Sequence, residues 1–560
     1  MKRLQGTIFA AVAAASSWVA PPALAQAPDL ILRNGSLITM DPGKPAAEAL
    51  AIAGERIVAV GTNAEVVALA GGGTRIVDLG GRTVIPGLND THIHAIRGGQ
   101  SFRFESYWYD AESIGEALGI LQSAGADREA GEWVAVVGSW HPEQFAEKRA
   151  PSVAELSAVL PDRPAYVQYL YDYAIVNEKG IEVLGLDEPS ARPARGITVE
   201  RNDDGRATGK LFGDIGSFNT LFAGISPSED AQKKASLRKF FSALNSVGVT
   251  GFIDPSAGPA YVYEPLFALR DEGELTIRAG YRISASRPHR EVEWFRDVMS
   301  FRPSRHSDGL VNFLGIGENL VFGMNDAVRM GPGFDPSPEA RKELVKVAEF
   351  AAERRIPVEI HAYTDDAARA ILDALEVVAK KQSIADLRWS IAHLNTGSEE
   401  TLDRMKALGL AYAVQMGPYF EADAILKANG AEASKLSPPV RQALDKGIMV
   451  VGGTDSTRIG IFGVWQAIEY HLTGESLGGT VRRPADQLLT REEALRLYTA
   501  NATWIAFEEN ERGSLSPGRL ADLAVLDKPY LTIPVEEVDT IGSVFTLLGG
   551  EIVHDAGILR

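Results

Sequence analysis

The chain of 560 residues contains no cysteine. That absence rules out disulfides and thiolate metal sites, so a bound cation must be held by His, Asp, Glu or a modified Lys. Positive charge is also short: 56 Lys and Arg face 74 Asp and Glu, a formal net charge of −18. Such a chain has no general attraction for nucleic acid or anionic membrane, and a small or neutral substrate suits it better than a polyanion. Long apolar runs are missing as well. The stretch Ile8 to Ala20 falls short of the roughly 20 residues that span a bilayer. It follows the basic start Met1-Lys2-Arg3 and precedes Ala23-Leu24-Ala25, the pattern of a secretory leader over residues 1–25, cut before Gln26. The expectation is an exported, periplasmic protein whose mature form has no membrane span. Histidine is scarce, nine in all, and its distribution carries the functional signal.

The remainder reads as folded and soluble, with 45% apolar and 23% charged residues. From Asp29 to Asp78, short strand-like runs such as Leu30-Ile31-Leu32-Arg33 and Ile57 to Val60 alternate with turn signals such as Asp41-Pro42-Gly43. A similar pattern returns at Ala521 to Leu526 and Val544 to Val553. The two ends are expected to form one composite β-sandwich, residues 28–86 with 508–560. Between them, apolar β-type runs alternate with helix-length stretches, the signature of repeated β-α units. A first strand ends near His92; the others are expected at Val249–Asp254, Thr276–Ser284, Leu310–Glu318, Pro357–His361, Arg388–His393, Leu410–Gln415 and Gly447–Asp455. Helices are clearest at Pro338 to Arg355, opened by Ser337, and at Asp366 to Lys381. Eight units make the fold class α/β, a (β/α)8 TIM-like barrel over residues 87–507, with its active site at the C-terminal ends of the strands. An insertion at about 98–246, rich in aromatics, separates the first two strands.

Candidate ligands fall at those strand ends. His92 and His94 follow the run Thr83-Val84-Ile85 and the Pro86-Gly87 turn. Residues two apart on an extended segment project to one side and can present both imidazoles to a single cation. His361, His393 and Asp455 close three further strands. A lone His at a strand end is more often a hydrogen-bonded structural residue; four of them plus an Asp on one face point to a metal site.

With these residues the chain resembles the amidohydrolase superfamily, in its branch of long, often exported members with a large insertion after the first barrel strand. The resemblance runs from the Asn34-Gly35 strand through the His pair to Gly518-Arg519-Leu520-Ala521-Asp522-Leu523. It implies one or two divalent cations, commonly zinc. His92 and His94 with Asp455 are implied to bind the more buried ion, and His361 and His393 a second ion or the substrate. Where the family often places a bridging lysine, this chain has Gly315-Ile316-Gly317-Glu318, which makes Glu318 a candidate bridge. The implied chemistry is hydrolysis of a C–N bond in an amide, N-acyl amine or cyclic amide by metal-activated water. Asp455 is the expected catalytic group, passing a proton from water to the leaving amine.

Substrate-binding candidates are Arg458, three residues after Asp455, together with Gln415, Tyr419, Trp140, His141 and Tyr173. The aromatic insertion favours an apolar or aryl substrate group. An ester or lactone hydrolase, a deaminase, or a noncatalytic periplasmic binding protein are the alternatives. The expected partner is a small molecule, and self-association is left open.

Overall fold

The computed structural model describes residues 27–129, 131–226, 229–256 and 260–557, so the expected leader lies outside the described residues. Among these, no helix is long and apolar enough to cross a membrane.

All eight expected core strands are present: β1 (Leu88–Asp90), β2 (Val249–Asp254), β3 (Arg278–Ile283), β4 (Val311–Ile316), β5 (Glu359–Ala362), β6 (Ser390–His393), β7 (Ala411–Val414) and β8 (Val450–Gly452). Most of their residues are buried, as parallel strands covered on both faces require. They form two parallel ladders, β1 to β4 and β5 to β8. At one seam β4 meets β5 through a parallel bridge, Ile316 to Val358, and a hydrogen bond from His361 N–H to the Glu318 carbonyl at 3.2 Å. The regular ladder stops beside Gly315, whose φ of +95° favours glycine and whose added Cβ would lie 2.1 Å from the Pro357 carbonyl oxygen. At the other seam Thr91 N–H donates to the Gly452 carbonyl at 3.0 Å.

Helix α1 (Ala95–Ser101) starts immediately after His94, and α2 (Ile215–Ile225) belongs to the insertion. Helix α3 (Pro338–Glu353) begins where Ser337 accepts from Ala340 N–H at 3.2 Å, with Pro338 in its first turn. Helix α4 (Asp365–Ala379) is capped by Thr364 and so begins one residue earlier than expected, and Asp365 and Asp366 complement its N-terminal dipole.

Both chain ends meet in one apolar cluster that includes Leu32, Leu50, Val84, Leu523 and Phe545. There Leu523–Leu526 pairs antiparallel with Thr83–Pro86. The insertion is narrower than expected. Its six-stranded sheet runs from Glu105–Ser106 to Ala207–Phe212. The following helix, Asp230–Ser246, puts Leu237, Phe240, Phe241 and Leu244 into the large core around the parallel strands. Apolar burial therefore assigns that helix to the main body.

Candidate metal centre

Four His and two acids converge beyond the C-terminal ends of the strands. The pair His92 and His94 lies past the end of β1, in the turn into α1, so backbone turning rather than strand alternation brings the rings together. Their centroids are 5.6 Å apart and nearly perpendicular. Asp455 N–H donates to the His92 carbonyl at 2.9 Å, which fastens the end of β8 to the His pair. Gly453 permits this approach, since a Cβ there would stand 2.7 Å from His92 N. His393 and Asp455 hold left-handed backbone, φ 71° and 56°, an unfavourable conformation that accumulates at functional sites.

His94 Nε2 lies 3.4 Å from Asp455 Oδ1 and 3.5 Å from Glu318 Oε1. Glu318 Oε2 lies 3.0 Å from His361 Nδ1 and 3.1 Å from His393 Nε2, so one carboxylate spans both halves of the cluster. Burial works to raise the Glu318 pKa, but hydrogen bonds from His361 and His393 and the charge of His92 outweigh it and hold the carboxyl well below its ordinary range. Asp455 is lowered in the same way, with burial opposed by the His94 hydrogen bond and the charges of His393 and His92. Burial depresses His393, helped by the charge of His361. For His92 burial is outweighed by the Glu359 hydrogen bond and the surrounding carboxylates, which raise it to about 9.

The donor set fits a divalent cation. His92, His94 and Asp455 each offer an atom within 4.8 Å of the others, and so do His92, Glu318 and His393. His92 Nε2 is buried with no hydrogen-bond partner, a costly state for a ring nitrogen that a metal bond relieves. Imidazole and carboxylate without thiolate suit zinc and similar ions. The supporting groups are equally defined. Glu359 Oε1 accepts from His92 Nδ1 at 3.0 Å, which aims Nε2 into the cluster. His361 Nε2 faces the Ala327 carbonyl at 2.8 Å, leaving Nδ1 for the Glu318 side. Asp90, pushed up to about 7 by burial, accepts from Thr454 Oγ1 at 2.6 Å and from His92 N–H at 3.2 Å.

The cluster forms the floor of a cavity of about 570 Å³, where His94, Glu318, His361, His393 and Asp455 reach the wall. A larger hollow of about 690 Å³ lies elsewhere, beside Lys233, Lys234 and Glu264, and contains no histidine. Arg458 lines the first cavity while giving Nη1 to Glu105 at 3.0 Å and stacking over Phe222.

The other expected substrate contacts do not reach this cavity. Gln415 is buried and accepts from His393 N–H at 2.6 Å, so it positions a backbone. Trp140 is buried among Trp108, Phe145 and Tyr169 in the insertion's own core. His141 caps a short helical turn through Glu143 N–H at 3.0 Å. Tyr173 packs on Tyr169 and under Lys210, and Tyr419 packs on Phe420 and Tyr470. The aromatics of the insertion are therefore mainly its own core, and among its described residues Tyr171 is the aromatic that lines the cavity. Reasoning from sequence missed Glu359, Asp90 and Arg97. The first two had a signal, an acid inside an otherwise apolar strand or directly before the His pair.

The sequence model of the amidohydrolase family matches residues 75–554. The chain belongs to the amidohydrolase family. It is thus an enzyme of the class that hydrolyses carbon–nitrogen bonds other than peptide bonds and acts on small molecules. An N-substituted formamide deformylase from Arthrobacter pascens is 24% identical over 558 residues, covering 95% of this chain and 99% of the relative. A metal-dependent hydrolase from Pyrococcus horikoshii matches with a TM-score of 0.64 and 21% identity, over 90% of this chain and 99% of its own. Atrazine chlorohydrolase of Arthrobacter aurescens, solved with zinc, matches with a TM-score of 0.50 and 16% identity, over 94% and 95%. These structures show an α/β, TIM-barrel-like fold for this amidohydrolase.

Proposed function

We propose that this amidohydrolase cleaves a C–N bond of a small amide, N-acyl amine or cyclic amide with the aid of one or two divalent cations, zinc being the ion we assign. The observation that carries this reading is the buried, unpartnered Nε2 of His92, shared by two groups of possible ligands, one with His94 and Asp455 and the other with Glu318 and His393. His92, His94 and Asp455 would hold one ion. His361 and His393 would hold a second, with Glu318 between the two sets. A cation bound there supplies a Lewis acid that polarises the scissile carbonyl and acidifies water.

The chain's own groups supply the rest. Asp455, whose carboxyl lies below its ordinary range because burial is outweighed by the neighbouring imidazoles and whose Oδ1 lies 3.4 Å from His94 Nε2, would take a proton from the attacking water and return it to the leaving nitrogen. Glu359 and Gln415 keep His92 and His393 in place through the ring and the backbone. Arg458 faces the substrate. The two parallel ladders are read as one eight-stranded barrel, residues 87–507, beside a composite sandwich of 28–86 and 508–560. The leader pattern supports export to the periplasm.

The test is hydrolysis of a panel of amides, esters and lactones by the purified protein, before and after chelation. Turnover of amides, lost on chelation and restored by zinc, is expected. Asp455→Ala should lower it by at least about a hundredfold, the usual scale of general acid–base catalysis. Full turnover in that variant with metal retained removes the role of Asp455, and hydrolysis confined to esters removes the C–N reading.

A further inference from the structure

The wall of the cavity above the cluster carries as many guanidiniums as carboxylates, although acids outnumber bases in the chain as a whole. The chain carries a formal net charge of −18, yet among the described residues the carboxylates on this wall are Glu318 and Asp455, both within the cluster, while Arg97 and Arg458 lie outside it. The neutral polar groups on its wall, among them Asn219, Asn319 and Asn325, add no charge.

Arg97 is the more telling of the two. It lies one turn into α1, three residues after His94, and is half-buried. Its Nε is buried without a hydrogen-bond partner. The acid that feels its charge, Asp254, already accepts from Ile96 N–H at 2.9 Å, from Ser256 N–H at 3.0 Å and from the Tyr263 hydroxyl at 3.2 Å. A guanidinium held at a cavity wall with an unused donor is an incomplete interaction, and a planar anion completes it with paired hydrogen bonds. Arg458 is held against Glu105 through Nη1 and against the Phe222 ring, so its position is fixed before any ligand arrives. The two arginines follow His94 and Asp455 at the same spacing, and those residues are themselves only 3.4 Å apart. Both arginines line the cavity whose wall the cluster forms, so a charge they recognise lies in the same cavity as the bond presented to the cluster.

We infer that the substrate is an amide carrying a carboxylate near its scissile C–N bond, as in an N-acyl amino acid, with Arg97 as the specificity-determining residue and Arg458 assisting. This rests on the amidohydrolase reading above and narrows it to one charge class. It also replaces the expectation of an aryl substrate, because most of the aromatics behind that expectation pack within the insertion.

The test uses pairs that differ in one charge: N-benzoylglycine with N-benzoylglycinamide, and N-acetylphenylalanine with its amide. Binding is measured by calorimetry on the protein as purified and after chelation, for wild type, Arg97→Met and Arg97→Lys. Each acid should bind about tenfold or more tightly than its amide, the scale of one charge-assisted hydrogen bond. Arg97→Met should erase that preference, and Arg97→Lys should restore part of it. Equal affinity for acid and amide, binding of neither, or an acid preference that survives in Arg97→Met overturns the inference. Hydrolysis of the same pairs keeps the two claims apart. Metal-dependent cleavage without preference for acids retains the amidohydrolase reading and removes this inference. An acid preference in binding with no metal-dependent cleavage of any amide removes the amidohydrolase reading and with it the scissile bond, and retains only Arg97 as a carboxylate-binding residue.

Discussion

Glu359 is the residue through which the metal site can be weakened without touching a ligand. It is 1% exposed, and its Oε1 accepts from His92 Nδ1 at 3.0 Å. That bond holds a proton on Nδ1, so a cation that displaces the other ring proton takes the Nε2 lone pair. Glu359→Gln keeps an acceptor but removes the charge, whereas Glu359→Leu removes both. Loss of such a supporting partner costs about 10- to 100-fold in metal affinity. We expect the Gln variant near the lower figure and the Leu variant near the upper, or about 1.4 and 2.8 kcal/mol. Glu359 also faces Arg282, which is 1% exposed and 3.8 Å from Oε2. Leaving that guanidinium without its acid destabilises the fold, and the long separation puts the cost at or below the low end of the ~3–5 kcal/mol typical of a broken buried pair. Competition between the protein and a zinc-binding indicator reads the affinity, and a thermal melt reads the stability. A Leu variant that binds zinc as tightly as wild type would refute the reasoning, because His92 orientation would then not depend on Glu359.

Three further outcomes are expected. Gly453→Ala places a Cβ 2.7 Å from His92 N, an overpacking that costs about 1–3 kcal/mol; a wild-type melt and unchanged metal content would contradict it. Burial, with repulsion from Asp539, pushes Glu469 up to about 7 from its ordinary 4.5, although it accepts from Asp539 N–H at 2.9 Å. Between those values the folded chain keeps a proton the unfolded chain has released, so Glu469 costs stability as pH rises. Glu469→Gln should therefore gain melting temperature over wild type above pH 7 and lose that gain towards pH 4.5, and an advantage constant across this range would count against it. Chelation should lower the melting temperature and added zinc restore it, since a ligand bound only to the folded state stabilises it; melts that ignore both treatments would show that the cluster holds no ion.

Much of this was legible because burial and chemistry coincide at strand ends. Val249–Asp254 is expected and observed with the same bounds, since turn residues bracket a short apolar run. His361 and His393 stand out because an imidazole closing such a run needs a partner. The polar supports were harder to see. Glu359 opens β5, and only the fold shows that it meets His92, 267 residues away in sequence. Arg97 looks like any helical arginine until the cavity wall places it beside the cluster. Trp140, His141, Tyr173 and Tyr419 do not line the cavity, because aromatic content measures core formation as readily as recognition.

The central claim is that His92 and His94 hold a catalytic cation. Elemental analysis of the purified protein, wild type and His92→Ala with His94→Ala, tests it most directly. One to two equivalents of zinc or a similar divalent ion in the wild type, lost in the double variant, is the predicted result. Wild-type protein that contains no metal and takes none up, or a double variant that retains the full complement, would contradict the account.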